Sequence, residues 1–313
     1  MDTVVLPPRV CLGMTERVIV RSSAPLLAAA GISLTAFFLM TMQDALAKDV
    51  VSRVPGWIIL MVRSVTVVVA IMIFSGRKAA SGVMRSHSKA ELTLRSIIIL
   101  AAWLCFYLAA ETLAFGQLIT LYFVAPVFVA LLSGPILREP LAPAQWLPVC
   151  LGLAGVMIAS DMPTLHVTIP VLLALAAALL WSVSLVMLRR MAAKDSPLVQ
   201  VFYTNLVFAA ATAPALAWVP YQVPARDTCL MILSGVLGGL GQYALYCAAK
   251  RAPAHLVATL EYTALVFAFL IGFVAFSEVP SLSVVLGAAI ILVSGVLMVA
   301  LERRRGELPV VKL

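Results

Sequence analysis

Charge is what this sequence has least of. Of 313 residues, 22 are basic and 14 acidic, 12% in all, while 63% are apolar. Soluble domains carry about twice that charge, because a globule in water needs a polar skin. The shortage excludes a soluble enzyme, a disordered chain and a nucleic-acid-binding domain. Histidine is nearly absent too. His87, His166 and His255 lie in loops or near the ends of apolar runs, without metal-ligand spacing. Five cysteines, Cys11, Cys105, Cys150, Cys229 and Cys247, are scattered and odd in number. That excludes a disulfide framework or zinc cluster and leaves them as apolar filler. No GxxxxGK[ST] loop, HExxH or GxSxG motif occurs, nor paired Asp helices, so the sequence offers no ATPase loop and makes an intramembrane enzyme a remote reading. No metal and no other cofactor is expected. No cleavable signal peptide is expected either, since the first apolar run is too long for one and follows a charged stretch.

Long apolar runs fill the chain instead. A bilayer core of about 30 Å needs about 20 helical residues. Such runs fall at 24–42, 56–74, 96–110, 115–137, 147–160, 167–188, 198–218, 229–248, 256–276 and 282–301. They are continuous, not alternating, which argues against a β-barrel. The expected fold is an all-α integral membrane protein with ten transmembrane helices. Placing the N-terminus inside puts 18 of the 22 basic residues, Arg95 among them, in cytoplasmic segments. Only Lys48, Arg53 and Arg226 fall outside, and Arg63 lies within a span. That asymmetry predicts that both termini are cytoplasmic. It also explains the net charge of +8 without nucleic acid.

The two halves resemble each other. Leu46-Ala-Lys-Asp49 follows the first span much as Met191-Ala-Ala-Lys-Asp195 follows the sixth. Leu121, Ala125, Phe128 and Glu139 match Leu260, Ala264, Phe267 and Glu278 at a constant offset of 139. Ala-Gly-Val-Met-Ile at 154–158 pairs with Ser-Gly-Val-Leu-Met at 294–298. Each half has five spans, an odd number, so the second copy enters the membrane upside down. Two inverted five-helix repeats are therefore predicted, 24–160 and 161–301, between a cytoplasmic segment 1–23 and a tail 302–313. Inverted repeats characterise secondary transporters, with the substrate site near the midplane.

At this point the chain resembles a known family. The two repeats, the helix end Asp44-Ala-Leu-Ala-Lys48 and the following Val62-Arg63-Ser64 look like the drug/metabolite transporter superfamily, EamA group. That resemblance implies two EamA repeats around a central cavity lined by helices 1–4 and 6–9. It implies a homodimer through helices 5 and 10, and residence in the bacterial inner membrane. Carriers of S-adenosylmethionine and riboflavin, amino-acid exporters and an exporter of an opine-type metallophore are similar members. Asn205 stands where many members carry a second arginine.

Arg63 and Glu261 are the ionisable groups most in need of explanation, because charge inside a span is costly. Arg63 either clamps a carboxylate or phosphate or is tied to helix-end carbonyls or Asp44. Glu261 either binds a cationic group or carries a proton, or pairs with Lys250 or Arg251. A zwitterion would bridge the two. Tyr122 occupies the repeat position of Glu261 and joins the candidates. Trp103, Tyr107, Trp181, Asn205, Gln242, Tyr243 and Tyr262 are polar or aromatic residues in the same cavity helices, serving substrate or interhelical packing. Asp44, Asp49 and Glu111 are expected at the outer rim, solvated. Pro126 interrupts the fourth span, and glycines crowd the eighth. The expected function is a secondary carrier exporting a small amino-acid-like or zwitterionic metabolite by alternating access. The alternative is uptake of a metabolite such as S-adenosylmethionine or riboflavin. A channel and an intramembrane enzyme are the remoter readings. The partners expected are a small-molecule substrate and the lipid bilayer.

Overall fold

A computed structural model describes residues 24–51, 53–86, 89–110, 112–113, 118, 121–139, 141–160, 168–192, 194–214, 223–276 and 281–307. Every regular element among them is a helix. The α-helices are α1 (Ala24–Val51), α2 (Gly56–Ser75), α3 (Arg77–Arg85), α4 (Lys89–Ala110), α5 (Ala125–Leu137) and α6 (Trp146–Ser160) in the first half. The second half holds α7 (Ile169–Met191), α8 (Pro197–Thr212), α9 (Ala225–Arg251), α10 (Ala254–Glu261), α11 (Thr263–Phe276) and α12 (Leu282–Glu307). Six helices are long and apolar enough to cross a membrane, beginning with Leu26–Ala47 and ending with Leu282–Arg305. Three shorter apolar helices lie between them. The chain is thus an all-α, multi-pass membrane protein.

The starts and stops follow local chemistry. Pro170 and Pro197 sit in the first turns of α7 and α8, where a missing N–H is harmless. Ser196 caps α8, its hydroxyl accepting from Val199 N at 3.3 Å. α5 ends on Arg138 in the left-handed region, φ 57°, whose N–H returns to the Gly134 carbonyl. That cap turns the chain and aims Glu139 back at the bundle.

Four differences from expectation matter. α1 runs on to Val51, nine residues past the expected end of the first span at 42, so Asp44 and Asp49 lie within the helix. α4 begins at Lys89, which places Arg95 inside a helix, 1% exposed, and not in a cytoplasmic loop. A short helix, α3, fills the connection after α2 and packs on α8. The fourth and ninth spans are each broken. The break in the first repeat is a turn at Phe123–Val124 and that in the second is at Tyr262. Phe123 and Tyr262 correspond at the repeat offset of 139.

The packing obeys a pseudo-twofold relation. α1 lies on α9, and the repeat equivalent is α7 on α4. α2 on α9 is matched by α8 on α4, and α5 on α7 by α1 on α11. Two pairs are their own equivalents: α2 on α8, and α6 on α12. The rings of Phe123 and Tyr262 meet at 6.0 Å between centroids. Two residues equivalent by the repeat can touch only near the axis, so both breaks sit there. α6 and α12 cross where Gly155 meets Gly287. A Cβ on Gly287 would lie 2.5 Å from the Gly155 carbonyl oxygen, so only glycine permits that backbone approach.

The helix ends gather at two faces. The Asp49 end holds the C-terminus of α1 and the N-termini of α2 and α9. The Arg189 end holds the C-termini of α7, α9 and α12 and the N-termini of α4, α8 and α10.

Candidate functional site

Arg63 comes eighth in α2, about 10 Å from the helix start at 1.5 Å per residue. It is 4% exposed, and its Nε and Nη2 have no hydrogen-bond partner among the described residues. The ring of Trp103, on α4, lies 5.2 Å from its Cζ, a cation–π contact. Asp44, on α1, is the carboxylate in electrostatic contact with Arg63. Gln43 Nε2 donates to Asp44 Oδ1 at 2.8 Å. The Gln43 side chain lies in space that Gly238 of α9 leaves open. Asp44 is exposed on α1. The sequence places it at a solvated rim and also offers it as a tie for Arg63. The continuation of α1 instead sets it two turns inside a helix, beside Arg63.

Aromatic contacts lead from Arg63 across the molecule. Trp103 touches Phe106 at 6.1 Å between centroids, Phe106 touches Tyr122 at 5.3 Å, and Tyr122 touches Trp181 at 6.4 Å. Trp181 Nε1 then donates to Glu261 Oε2 at 3.1 Å. Glu261 is 5% exposed. Tyr122 is in electrostatic reach of both Glu261 and Asp44. Tyr122 and Glu261 each end the helical stretch before a break, so the two breaks place these equivalent positions together. Arg63, Trp103, Tyr122, Trp181 and Glu261 therefore stand on one contact path, basic at one end, acidic at the other and aromatic between, and form the candidate chamber.

The other candidates lie elsewhere. Asn205 Nδ2 donates to Gln242 Oε1 at 2.8 Å and to the Val201 carbonyl at 2.9 Å, tying α8 to α9. Asn205 Oδ1 is left without a partner among the described residues. Tyr243 is 44% exposed beside Cys247. Tyr262 turns toward α6, fully buried, its hydroxyl donating to the Val149 carbonyl at 3.4 Å and its ring lying over Gly152. It pins the break to the α6–α12 pair. The side chain of Tyr107 lies outside the described residues. Among the described residues, no group of three His, Cys, Asp or Glu comes together to hold a metal.

Ion pairs close both ends. At the Asp49 end, Arg53 donates to Asp227 at 3.0 Å and 3.2 Å and to Asp49 at 3.3 Å, and Arg226 donates to Asp49 at 3.0 Å. Hydrogen bonding to Asp227 above all holds the Arg53 guanidinium above its ordinary pKa. At the Arg189 end, Glu139 Oε1 accepts from Arg189 Nε and Nη2 at 3.1 Å and 3.0 Å. Glu139 Oε2 accepts from Ala254 N at 3.3 Å, and Arg189 Nη1 donates to the Ala249 carbonyl at 2.7 Å. A groove opens outward there, lined by Ile136, Leu137, Glu139, Arg189, Arg190 and Lys250. Lys194 pairs with Glu91 at 2.9 Å, and His255, Gln145 and Glu302 bond one another at the foot of α12.

Arg95 is the residue that sequence reasoning missed. It stands at the edge of an apolar run, where charge counting assigns it to a loop. The nearby polar residues Thr93 and Ser96 were the available signal.

Two repeats with helix breaks at equivalent positions and buried charge between them match the architecture of secondary transporters. The chain belongs to the EamA-like transporter family, which matches it at residues 26–160 and 168–300. It is 28% identical to a riboflavin transporter of Vibrio cholerae serotype O1 over 68% of this chain and 71% of that one. It is 26% identical to the pseudopaline exporter CntI of Pseudomonas aeruginosa strain UCBPP-PA14, over 88% of this chain and 95% of the exporter. An uncharacterised transporter of Helicobacter pylori strain J99 is 28% identical over 66% of this chain and 72% of its own length. A solved crystal structure superposes with a TM-score of 0.76 at 23% identity, over 89% of this chain and 99% of the other. That likeness concerns the fold alone. The protein is a multi-pass transporter of the bacterial inner membrane.

Proposed function

We propose that this protein is a secondary carrier that moves a small zwitterionic metabolite by alternating access, with export the favoured direction. The observation that carries the reading is Arg63. Two of its buried nitrogens lack partners among the described residues, at one end of an aromatic path whose other end is Glu261. A substrate carboxylate would take the free N–H groups of Arg63, and a substrate amine would take Glu261. The aromatic faces between them suit the apolar body of an amino-acid-like or opine-type solute. The CntI exporter supports the export direction, because the similarity extends over nearly its whole length. Ten spans with both termini cytoplasmic belong to this reading, which makes the Arg189 end cytoplasmic. So does a homodimer through α6 and α12, since Val285, Val293 and Val296 leave an apolar face of α12 exposed.

A second reading, uptake of riboflavin or S-adenosylmethionine, uses the same chamber through its aromatic set. The riboflavin transporters among the relatives support it. Counterflow in proteoliposomes separates the two. A labelled N-carboxyalkyl amino acid should show saturable counterflow, and Arg63→Ala or Glu261→Gln should each reduce it about 30-fold or more, the effect of stranding one partner of a buried charged contact. Flux untouched by both substitutions rejects the zwitterion chamber. Riboflavin counterflow that survives Arg63→Ala establishes the second reading. Gly238→Ala, which displaces Gln43 from its place beside Asp44, should lower flux severalfold while leaving every charge in place.

A further inference from the structure

Arg95 is buried about 9 Å inside α4 from Lys89. Its Nε donates to the Ser184 carbonyl at 3.1 Å, Nη1 to Thr204 Oγ1 at 3.3 Å and Nη2 to Tyr246 Oη at 2.9 Å. The ring of Tyr246 lies 4.7 Å from its Cζ. Every one of these acceptors is neutral, and among the described residues no carboxylate forms an ion pair with Arg95. Three donors are used, and a guanidinium has five. On the helices it bonds, three buried polar oxygens have no partner among the described residues: Ser184 Oγ, on the residue whose carbonyl accepts from Arg95, Gln200 Oε1, one helical turn before Thr204, and Asn205 Oδ1, next in sequence to Thr204. A cation with donors to spare, among acceptors that lack donors, is complementary to a carboxylate with neighbouring N–H groups. A neutral side chain would serve to hold helices together and would avoid the desolvation of a charge.

The position of the cluster matters as much as its chemistry. α4 belongs to the first repeat, and α7, α8 and α9 belong to the second, so Arg95 bridges the boundary along which the repeats would part. Ser184, Thr204 and Tyr246 lie about 8–11 Å from the Arg189 end of their helices. Arg63 lies at a like depth from the Asp49 end. The two buried arginines thus mark opposite halves of the membrane.

We propose that Arg95 is a second substrate-binding residue, the cytoplasmic station of a two-arginine path, taking the anionic group of the cargo when the repeats part at the Arg189 end. This rests on the carrier reading above and narrows its substrates to solutes bearing a carboxylate or an equivalent anion. The cargo's anionic group passes between Arg63 and Arg95 as the closed end alternates. The neutral acceptors of Arg95 hold the guanidinium in place between visits.

The test needs no knowledge of the cargo. In the full chain with its five cysteines replaced by alanine, Ser184→Cys places a thiol beside Arg95. No hydrogen bond is lost, because Ser184 Oγ has none among the described residues. Inside-out vesicles are treated with a sulfonated, anionic methanethiosulfonate or with a quaternary-ammonium, cationic one. Rates are normalised to those of a free thiol in solution. The expected result is labelling from the cytoplasmic face, faster for the anionic reagent by about tenfold or more. Arg95→Gln should abolish that preference and Arg95→Lys should keep it. Absence of labelling, an equal or faster cationic rate, or a preference that survives Arg95→Gln overturns the proposal. The first ratio involves no change at Arg95, so it decides even where the glutamine variant misfolds. Flux lost in Arg63→Ala, beside unselective labelling of the Ser184→Cys thiol, rejects this proposal alone. Selective labelling of that thiol, beside flux indifferent to Arg63 and Glu261, rejects the chamber alone.

Discussion

The two ends of the molecule are closed by the same chemistry in different surroundings. At the Asp49 end, Arg53, Arg226 and Asp49 have side chains 42%, 71% and 38% exposed, and only Asp227 is buried. At the Arg189 end, Arg189 and Glu139 are 23% and 26% exposed, and they also bond the Ala249 carbonyl and the Ala254 N–H. Beneath them lies the buried Arg95 cluster. Exposed pairs contribute little because water and salt screen them, whereas desolvated and multiply bonded ones hold. The Arg189 end is therefore the firmer closure.

That contrast can be broken experimentally. The largest effect is expected from Glu139→Ala, which removes both Arg189 bonds and the acceptor for Ala254. Hydrogen exchange in segments 184–192 and 249–255 should accelerate about ten- to hundredfold, with the Asp49 end unchanged. Equal acceleration at both ends would show a single coupled lock instead of two. Next comes Asp227→Asn, which leaves Arg53 its exposed partner Asp49. Exchange in 48–58 and 224–230 should rise severalfold, and less than in the first experiment. Raising salt to about 0.5 M should weaken the Asp49 end and leave the Arg189 end nearly unmoved, since exposed charges are the ones salt screens. A larger response at the Arg189 end would reverse the comparison. The smallest effect belongs to Arg226→Ala, whose pair is the most exposed. A change under about twofold is expected.

Much of this was legible beforehand, and the reasons are local. The offset of 139 between Leu121 and Leu260 identified the repeat, and the same offset relates Tyr122 to Glu261, where the structure sets both beside one chamber. Arg63 was visible because one charge in an apolar run has no bland surroundings. Arg95 escaped, and Asp44, though named as a possible partner of Arg63, is expected only at the rim, because each stands where an apolar run fades and hydropathy cannot say whether the helix goes on. α1 continues past Asp44, and α4 starts before Arg95. Tyr262 and Tyr122 look alike in sequence, but one pins a helix break and the other lines the chamber. A helical position one residue along points about 100° away.

The scarcity of charge by itself determined that this chain lives in a membrane as helices, because a backbone in lipid must satisfy its own hydrogen bonds. The repeat determined that two similar halves face each other. Only the tertiary structure decided which charges are desolvated together, since that depends on which helix faces converge. Sequence spacing describes each face separately, and the meeting of α2 with α4, or of α4 with α7, α8 and α9, is a property of the packed bundle.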